Sequence, residues 1–384
     1  MSKNYIPIEK VLEKNEHINK LESQGFIINP NNLQNYLLHF EGVDSKNPTE
    51  SFWKDKRVLI TGLAGFAGSH LAEYLLNLGA EVYGTVRRHA VPKYENIEHI
   101  RDKISFQEID LTSLERTLSI FKEIQPQHIF HLAAESFVPT SFREPNRVMY
   151  NNTVSTVNIF EAARVYNSDL ESIQVACSSE QYGLVGIDEI PVTEELKKNP
   201  FRPRSIYGIT KVVTEYTANL YNKAYGLPSF ITRGFNHEGP RRGLQFVTSV
   251  IHRQIIRVLE GKQNNIVIGN PNAIRDFTHV IDTVRAYILV CEKGRKAEPY
   301  NVCSGKGISI ADYIEICKTL YDLDVPVLID PNRLRPSDVP ILIGSNEKIK
   351  KELNWSPLYP ITKIIKDGIS YFQEHKEFLD IESH

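Results

Sequence analysis

From residue 56 onward, apolar residues come in short runs separated by stretches of helical spacing. The runs fall at 57–61, 81–86, 104–109, 128–132, 173–177 and 229–233. Between most of them, apolar positions recur every three or four residues, first over 69–78. Strand, turn, helix, strand is the order of a βαβ unit. Its repetition predicts an α/β fold, a doubly wound parallel sheet covered by helices on both faces. After about residue 240 the alternation loosens into Pro- and Asn-containing loops around shorter elements, which predicts a smaller C-terminal lobe. Residues 1–52 stand apart. They are rich in Asn, Lys and Glu, with one helical stripe (Ile8, Val11, Leu12, Ile18, Leu21) and an apolar patch at Leu37, Leu38 and Phe40. Such a stripe is expected to pack on the body of the same protein or on a neighbouring subunit. The expected division is a partly helical extension over 1–52, a dinucleotide-binding domain over 53–240 and a mainly substrate-binding lobe over 241–384, some of whose elements return to the first domain.

Composition narrows the function. The 384 residues include 45 Lys and Arg against 47 Asp and Glu, a formal charge of −2, so the average surface does not attract polyanions and a nucleic-acid partner is not expected. No apolar run approaches the roughly 18 residues that cross a bilayer, and the N-terminus opens no signal peptide. The four cysteines, Cys177, Cys291, Cys303 and Cys317, are too few and too scattered for a disulfide framework or a metal site, which is the pattern of reduced thiols in a cytoplasm. No metal is expected. His237 and His279 are read as hydrogen-bonded structural histidines.

The first apolar run ends in Thr61-Gly62-Leu-Ala-Gly65-Phe66-Ala67-Gly68, with glycines where a strand turns tightly into a helix and bare backbone N–H groups meet a phosphate. At the end of the second run, where an NAD enzyme offers a carboxylate to the ribose, stand Arg87 and Arg88. Guanidinium groups there bind a 2′-phosphate, so NADP is the expected cofactor. Asp110 and Leu111, after a later strand, are placed to reach the adenine. Ala133 and Ala134 supply small side chains where the cofactor lies against the sheet.

Tyr207 and Lys211 are spaced to share one helix face, and a neighbouring ammonium favours the phenolate. Ser178 ends a strand whose C-terminal edge is where open α/β sheets place their chemistry. Together the three suit proton removal from a hydroxyl carbon that gives up hydride.

The glycine turn, Ser178, Tyr207 and Lys211 resemble the extended short-chain dehydrogenase/reductase superfamily, with its Rossmann-type fold, from about Lys56 to Trp355. Within it, Arg87-Arg88, Ser178-Ser-Glu180, Pro200-Phe-Arg-Pro-Arg-Ser205, Asn236-His-Glu-Gly-Pro-Arg-Arg-Gly243 and Arg335-Pro-Ser-Asp338 are similar to the GDP-mannose 4,6-dehydratases. The resemblance implies Tyr207 as the C4 hydroxyl base, Lys211 as its electrostatic support, Ser178 as hydrogen-bond partner and Glu180 as the base that removes the C5 proton. It implies Asn236, Arg241, Arg275 and Arg335 as ligands of the nucleotide sugar. Glu135, Ser136 and Arg204 are placed near the hexose, and Ser179 where related dehydratases carry an acid for the C6 hydroxyl. Gln181 departs from the family, in which an apolar residue is more typical. Family resemblance also suggests a homodimer or homotetramer. Two other readings are a ketosugar reductase consuming NADPH, which needs no Glu180, and a non-catalytic NADP-binding protein whose extension recruits a partner.

Overall fold

A computed structural model describes residues 5–12, 16–88, 94–166, 168–334 and 337–381. Its centre is a seven-stranded, wholly parallel sheet in the order Pro299–Val302, Ser229–Gly234, Ser172–Ser178, His128–His131, Arg57–Thr61, Glu81–Val86, Ser105–Glu108. The chain enters at Arg57–Thr61, winds outward through two strands, then returns and winds the other way from His128–His131. The reversal opens a crevice above the carboxyl ends of these two neighbours, where open α/β sheets bind ligands.

Each central strand alternates between the two faces. Val58 and Ile60 join one core with Leu71 and Leu75 of helix Phe66–Asn77 and Val284 and Ile288 of helix Val280–Lys293. Leu59 joins the opposite core, with Phe121, Ile159, Phe160 and Ala218 of helices Leu114–Ile124, Pro145–Tyr166 and Ile206–Tyr225. The strand and helix positions follow the apolar pattern to within a residue or two, except that the first helix begins earlier, at Phe66, because Gly65 leaves the strand-to-helix turn short.

The chain crosses to a second lobe at Asn236–Glu238, which pairs parallel to Ile274–His279. That strand also pairs with Gly307–Ser309 and Ile341–Leu342, and helices Val247–Leu259, Ile310–Leu320 and Ile361–Glu374 enclose a separate apolar core with it. Helix Val280–Lys293 and strand Pro299–Val302 return to the large sheet, so the two lobes are laced together by several crossings.

The extension is a strap along this body. Its stripe is not one helix. Ile6–Pro7 is a strand antiparallel to Val327–Ile329, Ile8–Lys10 a single 3-10 turn, and Glu16–Ser23 a separate α-helix, because pairing with the lobe's edge strand holds the backbone extended at Pro7. Ile8, Ile28 and Tyr36 enter the second-lobe core, whereas Leu12 and Leu38 are exposed. Ile28 N–H donates to Gly307 O at 2.8 Å, and Gly307 N–H to Phe26 O at 2.7 Å. Further on, the Ser45 hydroxyl accepts from Ser356 N–H at 2.8 Å and Thr49 N–H donates to Glu292 at 2.9 Å, reaching the first domain.

Candidate active site

One cleft of about 930 Å³ runs from the glycine turn across the sheet's carboxyl edge into the second lobe. At its first end Gly62 has φ +72°, and a Cβ there would lie 3.1 Å from the Ala133 backbone, so only glycine fits the turn. Helix Phe66–Asn77 starts at Gly65 with no side-chain cap, leaving the N–H groups of its first turn, at Phe66, Ala67 and Gly68, facing the cleft. Thr61 fixes the opposite lip. Its hydroxyl accepts from Leu132 N–H and Ala133 N–H at 3.1 Å each and contacts His131 Nδ1 at 2.9 Å. Ala133 and Ala134 line the floor. Asp110 and Leu111 also line the cleft, with Asp110 accepting from Thr112 N–H at 2.9 Å and held below the usual carboxylate range chiefly by that bond. Arg87 lines the cleft and its charge is felt by Asp110. Arg88 is exposed and does not line it. A glycine turn that a Cβ would fill, an uncapped helix start and a cation at the end of the second strand fit an NADP-sized dinucleotide.

The catalytic candidates sit at the middle. Ser205 caps helix Ile206–Tyr225 by accepting from Gly208 N–H at 3.0 Å, which fixes Tyr207 in the first turn. Gly208 brings that helix against the neighbouring loop, since a Cβ there would fall 2.7 Å from Glu180 O. The Ser178 side chain lies beside the Tyr207 phenol. Burial pushes that phenol up to about 12, with the Ser178 side chain pulling down and the charge of Glu180 pushing up. Burial thus outweighs the lowering expected from Lys211. The ammonium is 5.7 Å from the Tyr207 ring centre, donates to Ala176 O at 2.6 Å, and is itself lowered by burial.

Glu180 is partly buried, lines the cleft beside Tyr207, and its carboxylate has no ion pair or hydrogen bond among the described residues. Ser179 is buried and lines the same wall. Glu135 and Ser136 also line the cleft, on a loop held by Asn152, whose amide accepts from Glu135 N–H at 2.8 Å and donates to Glu135 O and Thr210 Oγ1 at 3.1 Å each.

The second-lobe wall carries Asn236 and Arg275. Arg275 donates to Asp338 at 2.9 Å, and Asn270 Nδ2 donates to the same carboxylate at 3.0 Å. Arg335 lies outside the described residues. Arg241 is a correction. It points out of the cleft, pairing with Glu73 at 2.6 Å and approaching Ser69 Oγ at 3.3 Å. Its own φ of +68° turns the chain there, and the adjacent Arg242 lines the cleft instead. Arg242 pairs with buried Glu238 at 3.1 Å, stacks 3.5 Å over the Phe246 ring, and its charge reaches Tyr207. Arg204 donates to Ser337 Oγ at 3.2 Å and does not line the cleft. His237 does, stacked on Phe66 and contacting Phe235 O at 3.0 Å, while His279 contacts Asp367 at 3.2 Å. Sequence reasoning missed Arg242 and Asn152. The adjacency of two arginines was a signal for the first, but only the left-handed residue says which one turns inward.

Residues 59–368 match the GDP-mannose 4,6 dehydratase family. The chain belongs to this family. The match spans both lobes and leaves the strap outside. Among relatives, the GDP-mannose 4,6-dehydratase of Yersinia enterocolitica is 31% identical over 352 residues, covering 82% of this chain and 93% of that protein. The human GDP-mannose 4,6 dehydratase is 32% identical, covering 81% and 90%. Among solved structures, RMD from Pseudomonas aeruginosa complexed with NADPH superimposes with a TM-score of 0.72 at 26% identity, covering 83% of this chain and 99% of that one. The family and these neighbours make this an extended short-chain dehydrogenase/reductase acting on nucleotide sugars.

Proposed function

We propose that this protein is a GDP-sugar 4,6-dehydratase, most simply of GDP-mannose, the sugar nucleotide in the names of its relatives. The carrying observation is Glu180, a carboxylate on the cleft wall beside Tyr207 with no ion pair among the described residues. A plain reductase needs no such base. Gly62, Gly65, Phe66, Ala67, Gly68, Arg87, Asp110, Leu111, Ala133 and Ala134 would hold NADP. When bound, it supplies the acceptor of the C4 hydride, the donor of the same hydride to C6, and a positive ring charge.

Tyr207 takes the C4 hydroxyl proton, with Ser178 sharing the hydrogen bond and Lys211 and Arg242 offsetting the phenolate charge. Glu180 takes the C5 proton, acidified by the C4 ketone. The C6–O bond breaks and the oxygen departs as water with the proton Glu180 returns. The proton that Tyr207 took from the C4 hydroxyl, exchangeable with solvent, makes good the one lost from C5, and the hydride would return to C6 from bound NADP, so the sugar loses one water with no net redox change. Asn236 and Arg275 bind the nucleotide sugar, and Arg242 takes the place expected of Arg241.

We further place the protein in a cytoplasm as a homodimer or homotetramer. Supporting this, the four cysteines are free and buried, and helices Pro145–Tyr166 and Ile206–Tyr225 leave Tyr150, Val157, Tyr216 and Leu220 exposed, area that another copy would cover. Size-exclusion chromatography with light scattering tests the assembly, and a monomer rejects it.

Incubation with GDP-mannose in deuterated water, without added reductant, tests the chemistry. A 4-keto-6-deoxy product with deuterium at C5 is expected. Turnover only of a ketosugar, with stoichiometric NADPH loss, rejects the proposal.

A further inference from the structure

Behind the Ser178–Glu180 turn lies a polar side chain that touches neither substrate nor cofactor space. Gln181 is fully buried and does not line the cleft. Its Oε1 accepts from Ser178 N–H at 3.0 Å, while the Ser178 hydroxyl accepts from Glu180 N–H at 3.2 Å, closing a reciprocal cap over the turn Ser179–Gln181. On its other side, Gln181 Nε2 donates to Glu215 Oε2 at 2.8 Å. Glu215 is anchored by Arg233, whose Nε and Nη2 donate at 2.9 and 2.5 Å, both residues being almost wholly buried. Arg233 Nη1 donates to Tyr182 OH at 2.8 Å, and Tyr182 OH donates to Asn301 Oδ1 at 2.7 Å. The turn is thus tied through one amide to a buried ion pair on helix Ile206–Tyr225 and strand Ser229–Gly234.

We infer that Gln181 is a positioning residue for the elimination. It holds the turn that presents Ser178 and Glu180 at a fixed height relative to Tyr207, which stands on the Glu215 helix. An amide suits the task because it must accept from a backbone N–H and donate to a carboxylate at once. An apolar side chain does neither. A carboxyl does both only while it carries a proton, since two ionised carboxylates cannot share that contact. Misplacement by under an ångström slows reaction without weakening binding, and the second-lobe residues are untouched by the substitution.

This rests on the dehydratase reading, and its test separates the two. Wild type, Gln181→Met and Gln181→Glu are compared with GDP-mannose in deuterated water. For Gln181→Met we expect kcat to fall about 10–100-fold with KM within about twofold, and deuterium entry at C5 to slow in step. For Gln181→Glu we expect near-normal kcat at low pH that falls as pH rises, a limb absent from wild type. Hydrogen exchange of the peptide spanning 178–182 should quicken about tenfold in Gln181→Met while the rest of the chain keeps its protection. Unchanged kcat in Gln181→Met, no new pH limb in Gln181→Glu, or a general loss of protection and cofactor affinity overturns the inference. If wild type dehydrates nothing, the function proposed above fails. The local exchange pattern then decides the role of Gln181, and unchanged exchange at 178–182 rejects it.

Discussion

The two walls of the cleft handle charge in opposite ways. On the first-domain wall the Glu180 carboxylate has no ion pair among the described residues and lines the cleft with Tyr207 and Lys211, both buried. On the second-lobe wall the guanidinium groups are already matched, Arg275 with Asp338 and Arg242 with Glu238. The first arrangement leaves a carboxylate open to the cleft, where it can accept a proton from a bound molecule. The second keeps cations desolvated and oriented until a diphosphate joins or displaces the carboxylates. Chemistry and binding are therefore separable by mutation.

The hardest blow to this contrast comes on the first wall. Glu180→Gln should lower kcat about 10²–10⁴-fold while cofactor binding, followed by calorimetry, stays within about twofold. Loss of affinity with kcat preserved would reverse the assignment of the walls.

On the second wall, Arg242→Ala is expected to cost about 10–100-fold in kcat/KM, as for a lost charged hydrogen bond. Arg241→Ala, which removes only the outer pair with Glu73, should stay within about threefold. Equal effects would show that the left-handed turn at Arg241 does not sort the two side chains. Arg87→Ala sharpens the cofactor end, with preference for NADP over NAD falling about 10–100-fold and NAD binding little changed, read by titration of each dinucleotide.

The smallest expected effect concerns stability and compares the domains themselves. His131 under the first domain's sheet and His252 in the second lobe are both pushed down to about 3, chiefly by burial. The unfolded chain binds a proton near 6.5, so between that pH and about 3 the unfolded state holds more protons than the native one. Each histidine's contribution is complete above pH 6.5 and declines on acidification by at most about 1.4 kcal/mol per pH unit. His131→Asn and His252→Gln should each flatten that decline in urea unfolding between pH 6.5 and 4. If the lobes unfold as one unit, both act on the same transition. Two transitions, each answering to one variant, would show that the strap and crossings do not unite them.

Legibility divides along the same line. Strands at 57–61, 81–86 and 128–131 were readable because a strand buried on both faces is an unbroken apolar run, and Ser178, Tyr207 and Lys211 because strand ends and helical spacing place them locally. The extension misled through the same logic. Ile8 and Leu21 do face apolar cores, though two different ones, and edge pairing of Ile6–Pro7 outweighs the helical period. Arg275 and Asp338 lie 63 residues apart and only the lobe's folding joins them.

The amino-acid order alone determined the sheet, its glycine turn and the placing of Ser178, Tyr207 and Lys211 at a strand end and on a helix face, since these depend on neighbours within one strand or one helical turn. Which arginine lines the cleft, whether Glu180 meets a partner among the described residues, and what anchors Gln181 were decided by tertiary packing. Burial and counterion distance are set by chain segments far apart in sequence, and small backbone rotations such as that at Arg241 redirect a whole side chain.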